Sequence, residues 1–528
     1  MLILTVLLTL AMALVLTSPV LDLGPPTAML DSAMVSGLND DGLTKFLGIR
    51  FAYPPIGDRR FRPPDSLPPY TTSITATQYG PACPQQSASF LHVPNIIDEL
   101  ENVVDKVLNH TEKQESEDCL TINVIRPENV TSSDKLPVVL WIFGVFVSSN
   151  DDNAVALVQR SVELGQPVVY AAMNYRGTQL TQNLAFGFLA SQEVKDADVG
   201  NLGLRDQREA MRWVQKYISA FGGDPNKVTL WGQSAGAISI SLQMLINGTE
   251  TNDLYRAAFM QSGAPIPVGS ITGGQKYYDF LVSETECSES NDTLSCLRNS
   301  LNLVWTPRAD GTYLKENPQY LVEHNMVAGV PMVSGNCDDE GTVFSFSSTN
   351  ITTPEQFKKW VKEIYVPNAP DGELNQILNL YPQTPSYGSP FDTGSLNDLT
   401  PQFKRIAAFQ GDVVFQAPRR YFIQRRSGHQ KIWSYLSMRD KYLPYLGSFH
   451  ASDLSAGLLN DYLIRFASML DPTKDKDNNT VVNWPEYTTE SPNLYTFRPF
   501  NSDPNITQDT YRDQAISQLA NLSLIYPL

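Results

Sequence analysis

The sequence predicts an α/β chain built on one large, mostly parallel central sheet with helices on both faces, and three observations carry that expectation. Six apolar runs rich in β-branched residues recur along the 528 residues, each of strand length. Runs that are apolar at nearly every position read as strands buried on both faces, as in a parallel sheet covered by helices. Amphipathic helical stretches separate the runs, the alternation of a doubly wound fold. Hydrophobic residues make up 42% of the chain and charged residues only 18%, below the usual ~25%, so a large core can be buried.

Along the chain, residues 2–16 come first: LILTVLLTLAMALVL, apolar throughout and without a charge. The run is short for a bilayer span and reads as a secretory signal peptide, although no Lys or Arg precedes it. The predicted division is a signal peptide at 1–20 and one domain over 21–528. The strands follow as PVVLWIF (137–143), PVVYAAMNY (167–175), KVTLWGQ (227–233), RAAFMQSG (256–263), GVPMVSG (329–335) and KIWSYLSM (431–438). Between the second and third lies LRDQREAMRWVQKYISAF (204–221), with Met211, Val214, Tyr217, Ile218 and Phe221 on one helical face. The segment 354–420, rich in Tyr, Pro and amphipathic pattern, is expected to be a cap on the sheet. No Pro/Ser linker divides the chain.

Charge and cysteines narrow the setting. Lys plus Arg number 39 and Asp plus Glu 56, a net charge of −17 that argues against nucleic acid as a partner. Of the five cysteines, Cys287 and Cys296 flank the polar loop SESNDTLS, a natural small ring; Cys83 and Cys119 would then close a larger loop, leaving Cys337. No C-x-x-C or Cys/His cluster suggests a metal. Eight N-x-S/T sequons, at Asn109, Asn129, Asn247, Asn291, Asn350, Asn478, Asn505 and Asn521, favour a secreted glycoprotein.

The chemistry sits where the third strand ends. Val228–Trp231 runs into Gly232-Gln233-Ser234-Ala235-Gly236 and then the helix-like AISISLQML. A strand, G-x-S-x-G and a helix make a sharp turn that lifts the serine hydroxyl above the sheet and aims the following N–H at a forming oxyanion. The acid and base then follow the serine in chain order. His92 and His110 precede it, His324 leaves little sheet in between, and His429 lies in a polar turn. His450, after the last apolar strand, is the expected base. The fifth strand ends in Asn336-Cys337-Asp338-Asp339-Glu340, and any of its three carboxylates could reach that histidine.

These residues resemble the type-B carboxylesterase/lipase family. Phe221-Gly-Gly-Asp-Pro-Asn-Lys-Val-Thr-Leu-Trp-Gly-Gln-Ser234-Ala-Gly236 matches its nucleophile signature, and Glu117-Asp-Cys119-Leu-Thr-Ile-Asn-Val-Ile-Arg-Pro127 its second signature. Gly48-Ile-Arg-Phe-Ala-Tyr-Pro-Pro and Arg60-Phe-Arg-Pro-Pro64 are similar to its N-terminal stretch, so the resemblance covers residues 25–525. It implies an α/β-hydrolase fold with a lid or cap, Ser234 as nucleophile, His450 as base, and Glu340 as the acid in preference to its neighbours. It implies disulfides Cys83–Cys119 and Cys287–Cys296, and structural ion pairs Arg60–Glu117 and Arg176–Asp206. The family's lid position falls at 84–118, where Ile96, Ile97, Leu100, Val103, Val104, Val107 and Leu108 form an apolar helical stripe suited to a lipid interface. The oxyanion donors would be Ala235, Gly144 and Val145. Here the sequence departs: Trp141-Ile-Phe-Gly144 is followed by Val145-Phe146-Val147-Ser148-Ser149-Asn150, without the family's run of glycines. The expected protein is a secreted serine carboxylic-ester hydrolase for small-molecule or lipid esters, working without cofactor or metal. The rival reading is a catalytically impaired or silent member acting as a binding or adhesion protein.

Overall fold

The computed structural model describes residues 24–84, 114–144, 153–177, 187–298, 306–500 and 502–527. The apolar N-terminal run, the lid stripe, oxyanion residue Val145, His92, His110 and the Asn109 sequon lie outside the described residues.

The strands are β1 Thr27–Leu30, β2 Ala33–Ser36, β3 Leu38–Asp40, β4 Leu43–Arg50, β5 Ile74–Thr75, β6 Thr121–Pro127 and β7 Leu136–Ile142. They continue as β8 Val169–Met173, β9 Gly223–Gln233, β10 Ala257–Gln261, β11 Met332–Cys337, β12 Ile432–Ser437, β13 Asn493–Phe497 and β14 Asn505–Gln508. β1, β2 and β5 form a small sheet; the other eleven run in the order β14-β13-β12-β11-β10-β9-β7-β8-β6-β4-β3. From β8 through β7, β9, β10, β11 and β12 to β13 every pairing is parallel. All six predicted runs are strands of this parallel block. Each position of β8, β10, β11 and β12 is buried, because helices cover both faces.

The margins differ from the centre. β6, β4 and β3 on one side and β14 on the other pair antiparallel. The sequence reading did not single out these strands: β3 and β14 are short and at most half-buried, while β4 and β6 carry polar residues such as Thr44, Lys45, Asn123 and Arg126 that break the apolar run.

The longer helices include α1 Asn153–Glu163, α2 Leu202–Tyr217, α3 Ala235–Gln243, α4 Pro354–Ile364, α5 Asp371–Asn379, α6 Phe403–Gly411, α7 Ala417–Arg426, α8 Asn460–Met469 and α9 Asp513–Ile525. α2 and the single turn after it bury Met211, Val214, Tyr217, Ile218 and Phe221, the predicted face. The cap at 354–420 is real but shared: α4, α5 and α6 form their own core with Ala515, Ile516, Leu519 and Leu522 of the C-terminal α9. Thr353 and Gln356 make a reciprocal capping box that starts α4, with Pro354 in its first turn. No helix among the described residues is long and apolar enough to cross a membrane.

Both disulfides are present, Cys83–Cys119 and Cys287–Cys296, and Cys337 is a free, buried thiol. Arg176 Nη2 lies 2.6 Å from Asp206 Oδ1, both buried, and Arg60 Nη2 lies 2.6 Å from Glu117 Oε2. Asn129, Asn291, Asn350, Asn478, Asn505 and Asn521 are exposed. Asn247 departs from the expectation: its Nδ2, the atom that would carry a sugar, is buried without a hydrogen-bond partner. A glycan there would require the side chain to leave its packing.

Candidate active site

The parallel strands deliver their C-terminal ends to one edge of the sheet, and every predicted catalytic residue follows such an end. β9 stops at Gln233, and α3 starts at Ala235. Ser234 between them has φ 57° and ψ −125°, a strained conformation for a residue with a side chain. Its N–H donates to the Gln261 carbonyl at 2.9 Å, and its own carbonyl accepts from Ile238 N at 2.9 Å. The turn is held from both sides. Its tightness depends on glycines: a Cβ on Gly236 would come within 1.9 Å of the Ile142 carbonyl oxygen, and one on Gly263 within 2.6 Å of the Ser234 carbonyl oxygen.

Glu340 lies three residues beyond β11. Its Oε1 accepts from Cys337 N at 2.7 Å and Asn336 Nδ2 at 3.1 Å, and its Oε2 meets His450 Nδ1 at 2.5 Å. Of the three carboxylates, Glu340 is the one hydrogen-bonded to His450. Asp338 and Asp339 turn to Lys441, whose Nζ reaches Asp339 at 3.0 Å and lies closer still to Asp338. Burial works against the Lys441 charge, but the two carboxylates outweigh it and raise its pKa. Asp339 also accepts from Ser389 Oγ, Phe391 N and Ser448 N, at 2.8, 2.7 and 2.9 Å. It thereby fastens the loop that carries His450 to the end of β11.

His450 is buried, its ring centroid 5.1 Å from Phe344 and 4.5 Å from Phe415. His429 and His324 are both exposed. The imidazole Nε2 lies 3.1 Å from Gln233 Nε2, and Ser234 Oγ is buried without a hydrogen-bond partner. The structure thus joins Glu340 to His450 and sets Gln233, the neighbour of Ser234, against the other face of the base. Of the expected oxyanion donors, Ala235 opens α3, where a first-turn N–H has no carbonyl four residues back. Gly144 packs on the elbow: a Cβ there would lie 2.4 Å from the Gln233 carbonyl oxygen and 2.8 Å from Ser234 Cβ.

Sequence reasoning missed several members of this site. Gln233 stood only as the variable position of G-x-S-x-G. Lys441 comes from a loop, Phe344 from the single helical turn Thr342–Ser345 and Phe415 from the cap, with no local pattern to mark them. Asp453, three residues past His450, was not singled out; its Oδ2 accepts from Tyr435 Oη at 2.5 Å and Gln261 Nε2 at 3.2 Å. Burial raises its pKa, as does the nearby Glu340 charge. Burial likewise pushes the Cys337 thiol well up, reinforced by Asp453 and Glu340.

A parallel sheet flanked by helices, with a strained serine at a strand–helix elbow and a carboxylate-backed histidine at the same edge, defines an α/β hydrolase. The chain matches the model of the carboxylesterase family over residues 26–456, and it belongs to that family of carboxylic-ester hydrolases. It is 38% identical to Lipase 4 of Diutina rugosa over 91% of this chain and 93% of that protein. It is 36% identical to the secreted triacylglycerol lipase LIP1 of Gibberella zeae, over 92% and 89% of the two chains. The crystal structure of Aspergillus niger EstA superposes with a TM-score of 0.79 at 25% identity, covering 96% of this chain and all of that one.

Proposed function

We propose that this chain is a secreted lipase that cleaves lipid esters through an acyl-enzyme. The observation that carries the reading is the pairing of the strained Ser234 elbow with the Glu340–His450 hydrogen bond at one sheet edge. In this reading Ser234 Oγ attacks the ester carbonyl and passes its proton to His450 Nε2. Glu340 holds the proton on Nδ1 and stabilises the imidazolium. The N–H groups of Ala235 and Gly144 face the developing oxyanion, with Val145 as the third expected donor. Proton return to the leaving alcohol frees it, and water then hydrolyses the acyl-enzyme by the same steps in reverse order.

The lipid preference rests on kinship with lipases and on the apolar surroundings of the nucleophile, where Val343, Phe344, Phe403, Phe415, Leu446 and Phe449 form a buried cluster against Ala235. Secretion is supported by the apolar start, the two disulfides, six exposed sequons and relatives whose names include secreted lipases. The proposed lid at 84–118 would cover this edge and open at a lipid surface.

A fluorophosphonate should label one serine, Ser234, by peptide mapping, and Ser234→Ala should abolish both labelling and turnover. An adduct elsewhere would remove the assignment. Turnover of p-nitrophenyl esters should rise with acyl length; a preference for acetate over octanoate would make the chain an esterase of small esters instead.

A further inference from the structure

Gln233 belongs to no step described so far, yet it holds the atom on which the reaction turns. Its carboxamide is buried. Its Nε2 sits 3.1 Å from His450 Nε2, the nitrogen that must receive the seryl proton. On the far side of the ring, Nδ1 is engaged 2.5 Å from Glu340 Oε2. With the Nδ1 proton facing that carboxylate, Nε2 presents a lone pair, and the amide N–H₂ is the group that can donate to it. Ser234 Oγ, next along the chain, is buried and has no hydrogen-bond partner. One lone pair cannot serve both donors. On the other side, a Cβ on Gly144 would come 3.0 Å from Gln233 Oε1, so the carboxamide lies between Gly144 and His450.

We infer that Gln233 is a positioning residue that occupies His450 Nε2 in the resting enzyme, and that acylation starts when Ser234 takes over this hydrogen bond. The inference rests on the Ser234–His450 reading above. The exchange moves no covalent bond: the amide N–H releases the lone pair, and the Ser234 hydroxyl donates to it. Once proton transfer has placed a hydrogen on Nε2, the amide N–H₂ can no longer donate there, so the resting contact does not re-form until the base is neutral. An amide turned over would offer its oxygen to that N–H, which a carboxylate at the same position would do far more strongly.

The other charged or titratable groups around the imidazole are few. Glu340 and the Cys337 thiol come from the end of β11, Asp453 from the histidine's own loop, and Tyr435 from β12 through its bond to Asp453. Phe344 and Phe415, which flank the ring, carry no charge. All of these stay constant when only Gln233 changes.

The test compares Gln233→Met, which keeps the bulk and removes donor and acceptor, with Gln233→Glu, which keeps the shape and adds a charge. The probe is a small water-soluble fluorophosphonate, read as the second-order rate of Ser234 labelling across pH. Gln233→Met should label faster by about two- to tenfold, the worth of one ordinary hydrogen bond. Gln233→Glu should move the acid limb of the labelling profile upward by about one pH unit, because the carboxylate stabilises the imidazolium. Slower labelling of Gln233→Met with a Gln233→Glu profile superposable on the parent would overturn the inference and leave Gln233 a packing residue. Should Gln233→Met not fold, the profile of Gln233→Glu alone decides. Absence of Ser234 labelling in the parent enzyme would instead overturn the nucleophile assignment, so the two failures are told apart.

Discussion

Ser234 keeps its left-handed backbone because glycines leave room on every side of it. Two of them belong to the G-x-S-x-G motif, but Gly263, just past the end of β10, does not. A Cβ on Gly263 would come within 2.7 Å of both the Ala237 Cβ and Ile238 N, besides the Ser234 carbonyl oxygen. The crowding atoms are mostly backbone, so the elbow itself must shift. Gly263→Ala should therefore cost about 1–3 kcal/mol of stability and slow phosphonate labelling of Ser234 at least tenfold. Thermal melts and labelling kinetics on one preparation measure both; a variant that melts and labels like the parent would show that the elbow does not depend on this glycine. The sequence could name Ser234 because its motif is local. It could not name Gly263, because the need for a missing side chain arises only where β10 meets α3.

At the scale of elements, the central parallel strands were legible as continuous apolar runs, whereas their fastening was not. The clearest case joins α7 to the end of β14. Asp509 accepts from Arg419 Nη1 and Nη2 and from Arg420 Nε, each at 2.9 Å, and all three side chains are buried. Burial disfavours the Asp509 charge, but the two guanidiniums overrule it and lower its pKa. Arg419 Nη2 also donates to Tyr511 Oη at 2.8 Å; Tyr511 donates to Gln416 Oε1, and Gln416 Nε2 to the Cys337 carbonyl, at 2.6 and 2.8 Å. The outer strand is thus tied to the base of the Glu340 turn. Because the folded pKa lies below the unfolded value of about 3.9, the Asp509 contribution is complete above that pH. It fades as pH falls below it towards the folded pKa. Asp509→Asn should lose about 3–5 kcal/mol at neutral pH by stranding two buried cations, and the loss should shrink in acid. Urea melts at pH 7 and at about pH 2.5, well below the unfolded value, test this; an equal deficit at both would mean that the charge is not what matters. Such a cluster joins residues some ninety positions apart, with no periodicity to announce it.

For the whole molecule, the candidate site is assembled at one edge of the sheet from chain segments following β9, β11 and β12; chain order pointed to Ser234 and His450, whereas the choice of Glu340 over Asp338 and Asp339 came only from the family resemblance. Surface chemistry was less legible, since a sequon reports composition and not exposure. Mass mapping after deglycosylation of secreted protein should find sugar on several of the six exposed asparagines and none on Asn247. Full occupancy of Asn247 would show that its side chain leaves the core before the fold closes.

The buried Cys337 thiol gives this architecture a built-in clock. Four of the five cysteines are locked in disulfides, so a thiol reagent has one target in the whole chain. That target sits at the end of β11, where Ser452 Oγ, two residues past His450, lies 3.5 Å from its sulfur. Its alkylation therefore reports how often the sheet edge parts from the His450 loop, at ordinary temperature and without denaturant. Subglobal opening would give a modification rate that is insensitive to low urea, whereas a rate that tracks global stability from the first increment would mean that the edge and the loop part only when the whole domain unfolds. A substrate analogue or phosphonate bound at Ser234 should slow the clock in either case, so the chain carries a label-free measure of how firmly its own active site is shut.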